Sequence, residues 1–353
     1  MGKLFRDWYN RHFSDPQVAL LGFLLILGFS IIIFAGKLLT PLFAAVIIAY
    51  LLDGGVVFLQ SKKIPRLIAV VIIFSGFALL FLLLILVLAP LMMSQAFDFV
   101  RGIPDFINKG QQVLLDLPQN HPQLINEQTI SELLAGIRSQ VTKLSQQVLS
   151  FSLASVVDLF NSLVYLIVVP LLIFFFLKDK ERILIWMQCF LPKERQLVTH
   201  VWLEVNQKIA GYVRGKFMEI LIAWIVSYVT FLFLGLNFAM LLSFIVGISV
   251  LIPYVGAAIA AIPIAIIAYS QWGYNSDFIT IIIAYAIIQF LDGNLLVPLL
   301  FSGMVNLHPA AIITAVLFFG GIWGFWGVFF AIPLATLIHA VINAWPKPIN
   351  KCK

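Results

Sequence analysis

Charge is what this sequence has least of. Of its 353 residues, 11% are Asp, Glu, Lys or Arg, where an average soluble domain carries about 25%. With 62% hydrophobic residues and a mean hydropathy of +1.04, a water-facing globular surface is excluded, and lipid becomes the natural solvent. Cysteine is scarce too: Cys189 and Cys352 are the two, which excludes a disulfide framework and a cysteine-built metal site. No nucleotide-binding loop and no nucleophile–base arrangement stands out, so neither ATP hydrolysis nor catalysis has support and the chain does not read as an enzyme. No cofactor motif is visible. The net charge of +6 is not a nucleic-acid signal, because Lys and Arg gather at the ends of apolar runs. Residues 1–18 are polar and amphipathic. They lack the short apolar core and small-residue cleavage site of a signal peptide, so the first apolar run is expected to be retained.

What is present is a series of apolar runs, each near the roughly 20 residues a membrane helix needs. The expected fold is all-α and polytopic, with about eight hydrophobic segments. The first spans fall at about 19–36, 38–58 and 67–90, the third ending at Pro90. Lys3, Arg6 and Arg11 precede the first, and Lys62, Lys63 and Arg66 separate the second from the third. Positive-inside placement puts both groups in the cytoplasm. Residues 1–90 thus form a tail and three spans, and 91–160 an extracytoplasmic helical segment broken at PQNHPQ. A fourth span at about 160–177 and cytoplasmic amphipathic helices occupy 161–216. Asp53 reads as ending the second span, and Lys178–Asp179 as an ion pair ending the fourth. Residues 347–353 return a tail to the cytoplasm.

The core region, 217–346, carries no Lys or Arg, and its acids are Glu219, Asp277 and Asp292. It also repeats. LNFAMLLSFIVGISVLIPYVGAAIAAIPIAII starts at Leu236, and VNLHPAAIITAVLFFGGIWGFWGVFFAIPLATL at Val305. Each follows an apolar span, opens at an Asn-containing turn, passes a Gly-rich middle and reaches Ala-Ile-Pro (261–263 and 331–333). At about 30 residues, each is long for one span and marginal for two. Pro253, Gly256 and Pro263 interrupt the first, and Gly320, Gly321, Gly324, Gly327 and Pro333 the second. Each segment is either a re-entrant hairpin or a kinked single span. The central Gly or Gly-Pro break favours the hairpin.

Asp292 is the main candidate site. An acid near the bilayer centre costs about 2.5–3.5 kcal/mol on insertion scales and persists when it faces protein or water. Gln289 and Asn294 lie within about two turns, Gly293 is a hinge point, and Pro298 frees the carbonyl of Asn294. The functional reading is a proton-accepting or cation-binding carboxylate, and the bland one a polar contact between helices or subunits. Pro253, Tyr254 and Gly256 are exposed backbone beside a substrate path or a packing kink. His308 is more simply a hydrogen-bonded residue than a metal ligand, since no second His or Cys stands at ligand spacing. Glu219 reads as an interfacial acid paired with Arg214 or Lys216 and snorkelling to water, ahead of a coupling-ion role.

These motifs together resemble the autoinducer-2 exporter (PerM-like) family of bacterial inner-membrane transport proteins. The resemblance runs over about 20–345. It is carried by Pro41 with Ala49-Tyr50-Leu51-Leu52-Asp53, Arg66 with Ala69, Phe176-Leu177-Lys178-Asp179 and Tyr212-Val213-Arg214-Gly215. Ile252-Pro253-Tyr254-Val255-Gly256 is its most recognisable element. Asn294 with Pro298, Leu307-His308-Pro309, the glycines 320, 324 and 327, and Ile332-Pro333 complete it. Glu is common in the family where this chain has Asp292, which keeps the charge and shortens its reach by one methylene. The resemblance implies export of a small solute with autoinducer-2 as the namesake, Na+/H+ antiport in some members, and homo-oligomers, pentamers among them. A homo-oligomeric channel lined by Asp292, or a scaffold whose 91–160 segment binds an envelope partner, are the alternatives. In every case the partners are the lipid bilayer and a small molecule or ion, with no nucleic acid.

Overall fold

A computed structural model describes residues 16–35, 39–120, 136, 156–189, 196–253, 255–301 and 307–344. Every element among them is helical: α1 (Pro16–Ala35), α2 (Thr40–Ser61), α3 (Arg66–Leu83), α4 (Ala89–Asn120), α5 (Val156–Lys178), α6 (Lys180–Gln188), α7 (Gln196–Phe233), α8 (Ala239–Ser249), α9 (Val255–Trp272), α10 (Ser276–Leu291), α11 (Val297–Phe301), α12 (Pro309–Trp323) and α13 (Phe325–Ala344). Six helical stretches are long and apolar enough to cross a membrane: Thr40–Ser61, Arg66–Pro104, Val201–Phe233, Val255–Trp272, Ser276–Phe301 and Phe325–Asn343. The chain is an all-α polytopic membrane protein.

Two of these stretches are joined by a wide, five-residue π turn. Leu84–Leu88 links α3 to α4, and Asp292–Leu296 links α10 to α11. In both, a proline follows two residues after the turn, at Pro90 and Pro298. A proline ring in a helix collides with the carbonyl four residues back and donates no hydrogen bond. The wide turn in front of it, closed by Ala89 N–H to Leu84 O and by Val297 N–H to Asp292 O, makes room for that clash without ending the helix. The expected stop at Pro90 is therefore absent, and the third span continues into α4. That helix ends at Asn120, inside the expected PQNHPQ break. Of the rest of the 91–160 segment, 121–135 and 137–155 lie outside the described residues.

The chain divides into two units. One takes Met1–Gly76, Tyr165–Met218 and Pro298–Lys353, the other Phe77–Val164 and Glu219–Val297. In the second unit the core is Phe231 of α7, Leu242 and Val246 of α8, Ala260, Ile264, Ile267 and Ala268 of α9, and Ile281 and Tyr285 of α10. Lipid tails are as apolar as leucine, so close van der Waals packing rather than water exclusion holds such helices together. Gly247 shows this: a Cβ there would sit 2.8 Å from Trp224 Cβ and 3.0 Å from Ile220 O, so its bare backbone lets α7 and α8 touch. Gln271 clamps the turn before α8, donating from Nε2 to Gly235 O at 2.8 Å and accepting from Asn237 N–H at 2.9 Å. Gln95 of α4 accepts from Leu241 N–H at 3.0 Å, capping a free donor in the first turn of α8.

In the first unit, Phe43 of α2 meets Trp323 edge-on at 5.1 Å, and Phe29 of α1 stacks on Phe319 at 6.3 Å. Ala315 and Phe319 pack with Ala331 across α12 and α13. Val201 and Val205 of α7 pack with Ala340 and Val341 of α13.

Candidate functional site

The site grows from α10. Asn275 caps this helix by accepting from Ser276 N–H, and Asp277 in the first turn suits the positive end of its dipole. Ile281, Tyr285 and Ile288 are its buried residues, at the i, i+4, i+7 spacing of one helical face. Asp292 falls four residues further on the same face, at the first position of the π turn. The carboxylate therefore continues the buried stripe of α10.

Tyr285 stands two turns before Asp292, within electrostatic reach of it. Its hydroxyl donates to Ala257 O at 2.6 Å, tying α10 to the first turn of α9. Gln289 keeps its side-chain nitrogen buried, with no hydrogen-bond partner among the described residues. Asn294 is exposed and turns back on its own helix, donating from Nδ2 to Phe290 O at 2.9 Å. The π turn shifts the backbone ladder there, and the asparagine supplies a donor to a carbonyl at the shift. Gly293 has open space around its Cβ position.

The break facing Tyr285 is a helix reversal. The chain leaves α8 through Leu251 N–H to Ile248 O and Ile252 N–H to Ser249 O. It closes onto α9 through Gly256 N–H to Ile252 O at 2.9 Å. Pro253 lies in this turn, and Tyr254 lies outside the described residues. A Cβ on Gly256 would fall 1.7 Å from Ser249 O, so only glycine lets the two helix ends meet. Pro263 sits inside α9.

The second repeat reverses the same way. Gly324, at φ +62°, separates α12 from α13, and a Cβ on Gly327 would fall 1.8 Å from Phe319 O. Gly320 and Gly321 lie near the end of α12. The first admits Val328 against its backbone, and the second has open space. Each repeat thus pairs a short helix, α8 of 11 residues or α12 of 15, with a membrane-length one, α9 of 18 or α13 of 20. At 1.5 Å per residue the short arms reach about 17 and 22 Å, less than the roughly 30 Å hydrocarbon core. Both repeats are hairpins of unequal arms rather than kinked single spans. His308 opens the second, its Nδ1 accepting from Ala310 N–H at 3.2 Å as the cap of α12. Pro333 removes the donor that Phe329 O would otherwise receive, and Tyr212 of α7 donates its hydroxyl there at 3.4 Å.

Three charged residues differ from their sequence-based expectation. Asp53 lies within α2, two turns before its end, and is 9% exposed. Its partners come from far along the chain: Lys180 Nζ at 2.7 Å and Arg66 Nη2 at 3.9 Å. Arg66 also reaches Glu181 at 3.3 Å and donates to Leu177 O at 2.9 Å. The helix-end pair is thus Lys180 with Asp53. Tyr50, one turn earlier, donates to Asn206 of α7, and the Arg214 guanidinium rests against Gly54. Glu219 does not snorkel: it is 2% exposed, and Lys216 is 4% exposed. The reason is that α7 runs unbroken from Gln196 to Phe233, which carries both residues into its packed length instead of leaving them at a helix end. Lys216 Nζ stands 5.6 Å from the Phe301 ring centre. Among the described residues no cluster of His, Cys, Asp or Glu could hold a metal ion.

Six membrane-length helices, paired helical hairpins and an acid on a packed face define a class, the polytopic membrane transporters. Comparison with known proteins narrows it. The family model described as AI-2E family transporter matches residues 21–347, and the chain belongs to that family. It is 45% identical over 346 residues to the "Putative permease PerM" of Escherichia coli K12, covering 98% of each chain. It is 28% identical over 317 residues to the "Putative transport protein YueF" of Bacillus subtilis, covering 88% of this chain and 84% of that one. A Thermotoga maritima protein named "Putative transport protein" is 24% identical over 341 residues, covering 95% of this chain and 96% of its own.

Tyr285 is the site residue that sequence reasoning missed. The signal was available: a hydroxyl in an apolar run, seven residues before the acid, must share its helical face.

Proposed function

We propose that this chain is a secondary transporter that exports a small solute, an autoinducer-2-like signal, or exchanges Na+ for H+, with Asp292 as the coupling carboxylate. One observation carries the reading. Asp292 sits on a π turn at the end of the packed stripe of α10, and Tyr285 on the same stripe is bonded to the helix reversal of the first repeat. Turns of this kind recur at functional sites, and broken helices inside membranes are where transporters bind ions and substrates. A carboxylate in such a place is neutralised by a proton or a cation, and the alternation between the two is what coupling requires. The positions of Lys and Arg support a bacterial inner-membrane setting with both termini cytoplasmic. Homo-oligomers belong to the same reading and rest on the family resemblance.

The test is flux in liposomes loaded with a pH dye. A sodium or pH gradient should drive counter-movement through the parent and through Asp292→Glu, but not through Asp292→Asn. An Asn variant that transports as well as the parent removes the coupling role. Uptake that follows the gradient passively without saturating marks a channel instead.

A further inference from the structure

We propose that the end of the first unit where α6 joins α5 is a binding site for the headgroups of anionic phospholipids. The helix α6, KERILIWMQ, has nine residues, about 13 Å of length, and cannot span a bilayer. Its start is pinned. Lys180 holds Asp53 at 2.7 Å, Glu181 holds Arg66 at 3.3 Å, and Arg66 also ties down Leu177 O in the last turn of α5. Beyond that anchor the helix is bare. Ile185, Trp186 and Met187 are each more than half exposed, and Leu184 is exposed beside them. Lys180, Glu181 and Arg182 on the same helix keep it out of the hydrocarbon, where each charge is costly. A short helix with both characters, carrying a tryptophan, belongs at the membrane–water interface.

The charge around it selects the lipid. Six cations stand at this end of the unit, Lys62, Lys63, Arg66, Lys178, Lys180 and Arg182, against three acids, Asp53, Asp179 and Glu181. Arg66 and Lys180 are engaged with Asp53 and Glu181. Lys62, Lys63, Lys178 and Arg182 are all exposed.

Lys63 adds an independent observation. It closes α2 at φ +67°, its N–H bonded to Gln60 O at 2.9 Å and the next N–H, that of Ile64, bonded to Leu59 O at 3.4 Å. That is the helix-ending motif whose left-handed position glycine normally fills. A lysine there is a poor choice for the backbone, so its value lies in the side chain. Beside it, Lys62 lies 4.6 Å over the Phe58 ring. Basic clusters next to a membrane span are what negatively charged lipid surfaces attract.

The full chain is reconstituted in phosphatidylcholine vesicles doped with brominated phosphatidylglycerol or brominated phosphatidylcholine. The tryptophan emission that Trp186→Phe removes is followed as the quencher increases. With four cations near the surface, the anionic lipid should quench that emission at roughly tenfold lower mole fraction than the zwitterionic one. In K62Q/K63Q/K178Q/R182Q the two lipids should quench alike. Raising salt on the parent should erode the preference without any substitution, which keeps the test valid if the fourfold variant fails to fold. Equal quenching by both lipids in the parent at low salt overturns the headgroup site. Absence of quenching by either overturns the placement of α6 on the bilayer.

Discussion

Replacing Gly256 by alanine places a methyl carbon 1.7 Å from Ser249 O. Real contacts of this kind stay near 3 Å or beyond, so the two helix ends must separate by more than an ångström. The obstacle is a backbone carbonyl, not the tip of a flexible side chain, and the reversal has hydrogen bonds on both sides of it. Overpacking a well-packed site costs about 1–3 kcal/mol, and a backbone obstacle puts this case at ~3 kcal/mol. At roughly 2–4 °C per kcal/mol, the apparent Tm should fall by about 6–12 °C. The assay is detergent-purified protein heated in steps, with the surviving monodisperse fraction read by fluorescence size-exclusion chromatography. Two controls bracket the result. Gly327→Ala meets Phe319 O at 1.8 Å in the other repeat and should fall as far. Gly293→Ala adds the same methyl group in open space and should hold or raise the Tm. If Gly256→Ala melts within 2 °C of the parent, as a sharp-test threshold of about 1 kcal/mol or less, the close approach is not what holds the hairpin.

Tyr285→Phe removes the hydroxyl bonded to Ala257 O and should destabilise by about 0.5–1.5 kcal/mol; an unchanged Tm would mean this link is idle. Lys180→Met withdraws the near partner of a largely buried Asp53 and should cost about 1–3 kcal/mol, between the surface and buried limits. Adding Asp53→Asn should restore at least half of that loss, and additive losses in the double variant would count against the pair. Gln95→Leu exposes the N–H of Leu241 at the start of α8 and should cost about 1 kcal/mol by the same thermal assay.

Much of the fold was legible because lipid imposes coarse rules. Run length marked the spans, and the duplicated Ala-Ile-Pro with its preceding glycines marked the two reversals. The unequal arms were not legible, since nothing in ISVLIPYVG says on which side of the proline the membrane-length helix lies. Proline was misleading at Pro90, where its usual helix-breaking role is absorbed by the wider turn before it. The same device at Pro298 went unseen for the same reason: a π turn has no composition of its own. Asp292 was found because a charge in an apolar run is conspicuous. Tyr285 was missed because an aromatic residue there is not. The Asp53–Arg66–Lys180 association joins residues 127 positions apart, and no local pattern points across that distance. Glu219 was misplaced because the charges before it suggested a helix end where α7 continues.

The five residues Asp292–Leu296 have a consequence for how this chain tolerates change. A regular helix advances 100° per residue, so a π turn amounts to one inserted residue whose rotation the rest of the helix inherits. Loss of a single codon at Gly293 would return the turn to ordinary α geometry. The stripe of Ile281, Tyr285 and Ile288 would then swing by roughly a quarter of a circle relative to everything after Val297. Composition, hydropathy and length would be almost unaltered, yet the acid and the residues downstream would no longer be in phase. Here the number of residues, more than their identity, sets where the carboxylate points.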